Sequence, residues 1–127
     1  MQEPLAFVFE DDGMIPNSRL PLLVYRAAVP GDAAGIEAVF AGNRWPPAWR
    51  NGVYPFHHFH STAHEVLGVA RGEVSVLFGG PSGQVLTVRA GDVVVVPAGV
   101  AHCNQGQSED LLIVGAYPDN GPDPDLR

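Results

Sequence analysis

Four valines in a row, Val93–Val96, stand between Gly91-Asp92 and Pro97-Ala98-Gly99. Neighbouring residues of a strand point to opposite faces, so this run is apolar on both sides. Such a strand needs cover on both faces, inside a sandwich or a tightly closed barrel. The rest of the chain agrees. Its 15 glycines and 12 prolines are scattered over 127 residues and leave room only for short elements. The β-branched and apolar runs between them predict strands at 5–9, 20–28, 53–60, 65–70, 73–78, 85–89, 93–96 and 111–117. GGPSGQ, residues 79–84, predicts a hairpin turn. PGDAAGIEAVFAGN is the one good helix candidate: Asp32 can cap it, Ile36, Val39 and Phe40 share a face, and Gly42 can end it. RWPPAWRNG, residues 44–52, reads as a loop in which Trp45 and Trp49 act as lids or core plugs. The expected fold class is all-β, a sandwich or small barrel with one short helix near the N-terminal third.

The length suits one domain with a core of its own. No stretch is long and apolar enough to span a membrane, and the start, MQEPLAFVFEDDG, has no basic n-region and does not read as a secretory signal. The net charge of −7 repels phosphate backbones, which argues against nucleic acid as a partner. No basic amphipathic helix points to a membrane surface. Cys103 is the only cysteine, so no intrachain disulfide forms, and the expected compartment is the cytoplasm.

Four of the five histidines fall in HHFHSTAHE, residues 57–65. In an extended strand His58 and His60 point one way, and His57 and Phe59 the other. A turn at Ser61–His64 would bring Glu65 back beside the first pair. Two imidazoles and a carboxylate so placed suit a first-row metal. The remaining histidine, His102, follows the buried valine strand and can arrive from across a barrel. Three other readings compete. His60 and His64 are four apart and could share a helix face, but the zincin pattern puts glutamate directly after its first histidine, where Ser61 stands here. Histidine and glutamate could also form a metal-free acid–base pair, or the cluster could be structural or merely solvated.

The spacing carries a resemblance. Gly52, five residues, His58, one residue, His60, four residues, Glu65, six residues and Gly72 resemble the first cupin motif. Gly91, five residues, Pro97, one residue, Gly99, two residues and His102 resemble the second. One departure stands out: the asparagine usual four residues after the last histidine is replaced by Gly106, with Asn104 nearby. FEDDGMIPNS, LPLLVY, HHFHSTAHEVLGVARG, GDVVVVPAGVAH and VGAYP are together similar to the YjlB-like cupins, from about Phe9 to Pro118. The resemblance implies a double-stranded β-helix, a jelly-roll barrel. It implies one divalent transition metal (Fe, Mn, Ni, Zn or Cu) held by His58, His60, Glu65 and His102. It also implies a homodimer, and members that continue beyond this point, so that the tail here reads as shortened. The expected organisation is a single domain at 1–118, with N-terminal strands, helix and loop at 1–51 and barrel motifs at 52–117, followed by a loosely ordered acidic tail at 119–127.

Four protein ligands leave about two positions of an octahedral metal for water, substrate or dioxygen. Alternation places Tyr54 and Phe56 on the side of His58 and His60, as candidate substrate contacts at the barrel mouth, and Asn104 on the side of His102. His57 and His64 are candidates for orienting a ligand or moving a proton. Cys103 should face away from His102 as a core residue. The expected function is a metal-dependent oxidoreductase of the dioxygenase type acting on a small polar molecule. The alternatives are a metal-dependent binding or sensing module without catalysis, and a metal-dependent isomerase.

Overall fold

A computed structural model describes residues 3–121 and 124–127. Nine strands and one helix make up the described chain: β1 Leu5–Phe9, β2 Ser18–Tyr25, α1 Ala33–Gly42, β3 Pro47–Asn51, β4 Glu65–Arg71, β5 Glu73–Phe78, β6 Gln84–Arg89, β7 Val93–Val96, β8 His102–Gln107 and β9 Leu112–Ala116. They form two antiparallel sheets, one of six strands in the order β1-β2-β7-β4-β9-β3 and one of three in the order β6-β5-β8. The architecture is the jelly-roll barrel that the motifs implied.

Alternation along β4 divides the apolar residues into two sets. Leu67 and Val69 face the barrel interior with Leu22, Val24, Val74, Val76, Phe78, Val94 and Ile113. Val66 and Ala70 face outward and pack beneath α1 with Ile36, Phe40, Val114 and Ala116. The valine run of β7 lies between β2 and β4, and Val94 and Val96 join the interior while Val93 and Val95 face the helix side. It is therefore covered on both faces, as its sequence requires.

The helix begins where Asp32, in extended conformation, accepts a hydrogen bond from the Gly35 amide. It sits against β4 at Gly68, where a Cβ would stand 2.7 Å from Cγ2 of Ile36 and 2.9 Å from Cζ of Phe40. Only a residue without a side chain permits so close an approach.

Two expectations are corrected. Residues 47–51, read as part of a loop, form β3 at the edge of the large sheet, paired with β9. Pro47 opens that strand at the sheet edge, a position that tolerates proline. Residues 53–60, read as a strand, form none: the segment carries an isolated bridge between His58 and His102 instead of a ladder. A second strand absent from the sequence reading, β8, begins at His102 itself.

The last four residues have no regular structure, yet they hydrogen-bond to the histidine segment. Phe59 and Arg127 exchange a pair of backbone hydrogen bonds at 3.4 and 3.1 Å. The Asp125 carboxylate accepts from the Ser61 amide at 2.7 Å and from the Ser61 hydroxyl. Among the described residues no helix is long and apolar enough to cross a membrane.

Candidate metal centre

The segment 53–60 is short of a strand, but its alternation survives at the positions that matter. The His58–His102 bridge, with both backbone hydrogen bonds made, fixes His58 opposite the start of β8. His60 follows two residues later on the same side, and its carbonyl accepts from the Gly99 amide at 2.7 Å. The ligand atoms of His58, His60 and His102 all lie within 4.8 Å of one another.

Glu65, the first residue of β4, reaches the same place. Its side chain is 3 % exposed; Oε1 is 3.1 Å from Nε2 of His102 and Oε2 is 3.5 Å from Nε2 of His60. The approach to His102 is close but not aligned as a hydrogen bond, and Glu65 Oε1 and His102 Nδ1 are both buried without a hydrogen-bond partner. Buried carboxylate oxygens and ring nitrogens are seldom left so. A cation among them would use that unspent capacity.

The protonation states also suit a cation. Burial and the neighbouring His102 lower His58 from 6.5 to about 4, so its imidazole is neutral near neutral pH. Burial works to raise Glu65, but the adjacent imidazoles of His102 and His60 outweigh it and hold the carboxyl well below its usual range. Burial works to lower His60, yet Glu65 and the Asp125 carbonyl together raise it. His60 turns Nδ1 to the Asp125 carbonyl, and His58 turns Nδ1 toward the Phe56 carbonyl at 3.4 Å. Both rings thereby leave Nε2 free for the centre.

The four side chains open onto a cavity of about 780 Å³. Trp49, Tyr54, Leu67, Leu111 and Tyr117 supply its apolar walls. Arg50 at the mouth is already held by Glu37 through two hydrogen bonds, of 3.1 and 2.6 Å.

The cupin family model matches residues 49–124, the part of the chain that contains all four of these side chains. The chain belongs to the cupin family. It is also 41 % identical over 118 residues to the uncharacterized protein YjlB of Bacillus subtilis (strain 168), a match that covers 92 % of this chain and 71 % of that one. The chain is therefore a YjlB-like cupin.

The other expected residues fall in different places. Tyr54 lines the cavity; Phe56 stacks on it at 4.9 Å between ring centroids but lies outside the lining. Asn104 is spent locally: its amide donates to the Val53 carbonyl at 3.2 Å and to Gln107 at 2.6 Å, and its oxygen accepts from the Gly106 amide. His57 is neither in the converging histidine group nor in the cavity lining, and its buried Nδ1 has no partner. His64 is exposed and its Nδ1 accepts from the Ala98 amide at 2.9 Å, which pins the turn before β4 to the loop after β7. Cys103 is buried, facing Leu77 across the β5–β8 pair.

Tyr117 was not foreseen. Its ring lies 5.5 Å from that of His60, nearly perpendicular to it. The clue was alternation along β9: Ile113 faces the interior, so Gly115 and Tyr117 do too.

Proposed function

We propose that this cupin binds one divalent transition metal through His58, His60, Glu65 and His102 and uses it to oxidise a small molecule, in the manner of a dioxygenase. The observation that carries the reading is the pairing of three convergent histidines, with Glu65 beside two of them, and a cavity that opens on them. A site meant only to hold the fold together would be closed on all sides. When bound, the metal would supply a Lewis acid with about two open positions for substrate and dioxygen.

The protein's own residues supply the rest. Glu65 stays ionised although buried, so it offsets part of the cation's charge. Leu67 and Leu111 keep the region beside the donors apolar, and Trp49 and Tyr54 offer flat surfaces for a substrate ring or chain. Arg50 is committed to Glu37, so the cavity has little to offer a phosphate group. That favours a small polar molecule over a sugar phosphate. The single buried cysteine suits a reducing cytoplasm.

The test is dioxygen uptake by iron-loaded protein across small diols, thiols and ketoacids. Uptake with stoichiometric product supports the reading. Thermal stabilisation by some of these compounds with no turnover of any would replace it with that of a metal-dependent binding module.

A further inference from the structure

The three histidines of the centre are held from behind in different ways. His58 turns Nδ1 to a carbonyl two residues away, that of Phe56. Nδ1 of His102 has no partner. His60 is met by a distant part of the chain: its Nδ1 faces the backbone carbonyl of Asp125. A carbonyl only accepts, so that nitrogen carries the ring proton and Nε2 keeps its lone pair for the centre.

The residue that supplies this carbonyl is itself fastened around His60. Oδ1 of Asp125 accepts from the Ser61 amide at 2.7 Å, the Thr62 amide at 3.3 Å and the Thr62 hydroxyl at 3.2 Å, and Oδ2 accepts from the Ser61 hydroxyl. Arg127 donates from Nε to Oδ2 at 2.8 Å and exchanges backbone hydrogen bonds with Phe59. The bonds therefore bracket His60, with Phe59 before it and Ser61 and Thr62 after it. Burial of an apolar side chain does not hold the segment, because Leu126 is 55 % exposed. With no helix or strand of its own, it takes its position from these hydrogen bonds. Pro124, Asp125 and Leu126 thereby form one wall of the cavity.

We propose that Asp125 is a positioning residue of the metal centre: its carboxylate hooks residues 124–127 onto Ser61 and Thr62, so that its own carbonyl fixes the His60 ring with Nε2 toward the other ligands. This rests on the metal reading of the site. A ligand histidine without such a partner can turn about its side-chain bonds, and partners of this kind typically contribute about 10- to 100-fold in metal affinity.

Zinc is the probe, with affinity measured by competition against a chelator. The His60 ring is followed through its Nδ1–H proton signal in NMR spectra of the zinc-loaded protein, which should exchange slowly with water in the parent. Asp125→Ala should stay folded, bind zinc about 10- to 100-fold more weakly, and lose the slow signal. Asp125→Asn keeps an oxygen for the two amides and should recover most of that loss. Ser61→Ala should weaken binding in the same direction, and adding it to Asp125→Ala should cost little more, because both act through one hook. Asp119→Ala, which removes a carboxylate bound to Arg44 instead, should change neither readout. Binding by Asp125→Ala within about twofold of the parent, survival of its slow signal, or full additivity with Ser61→Ala overturns the proposal. His58→Ala separates the two levels. If it binds zinc as the parent does, the metal reading itself is wrong and the role of Asp125 falls with it; if it loses binding while Asp125→Ala does not, only the role of Asp125 is wrong.

Discussion

His58 carries a prediction about acid stability that follows from its burial. In the folded protein it is 5 % exposed and its pKa is lowered from 6.5 to about 4. The unfolded chain keeps the ordinary value. Below pH 6.5 the unfolded chain takes up a proton that the folded one refuses, so stability falls as pH drops from 6.5 to about 4. The full gap corresponds to about 3 kcal/mol, of which roughly 2 kcal/mol should be lost between about pH 7 and about pH 5. His60 acts in the opposite sense. Its raised pKa contributes stability that is present below 6.5 and is lost as pH rises through the folded value, so the two partly cancel in the parent protein. Comparison with His58→Gln, which cannot titrate there, isolates the His58 contribution. The assay is urea unfolding of metal-free protein in the presence of a chelator, at both pH values. The parent should lose roughly 2 kcal/mol more than His58→Gln on going to about pH 5. Losses that agree within about 0.5 kcal/mol would refute the claim that burial keeps His58 neutral.

Two other substitutions test the geometry. His58→Ala or His102→Ala should abolish most metal affinity, read by calorimetry with zinc, while His57→Ala, outside the converging group, should stay within about twofold. Gly68→Ala should destabilise the protein by about 1–3 kcal/mol in urea unfolding, because the new methyl would meet Ile36 and Phe40, and should leave metal binding alone.

The four donor candidates were legible in the sequence because spacing and alternation speak directly about them. His58 and His60 sit two apart, Glu65 opens β4, and His102 opens β8 behind a valine run that must be buried. Alternation held at His58 and His60 even though their segment is not a strand. An isolated bridge at His58 fixes its register, and Pro55 has no amide to donate to a ladder. β3 was missed because WPPAW carries two prolines, and an edge strand tolerates what a central one would not. Tyr117 was missed for another reason. Sequence shows that residues alternate along β9, but not which set faces the interior; that depends on α1 covering the outer face, a long-range packing choice. Asn104 shares the parity of His102, yet its amide closes the bend at Gly106. Local hydrogen bonding decided its role there, as is usual for asparagine in turns.

The central claim is that the four side chains hold a metal ion. Elemental analysis of the purified protein tests it most directly, before and after incubation with iron, manganese, nickel, copper and zinc followed by removal of free ions. The prediction is about one divalent ion per chain, absent from the His58→Ala/His102→Ala double variant although that variant remains folded. A parent protein that carries no metal and takes up none of the five would contradict it.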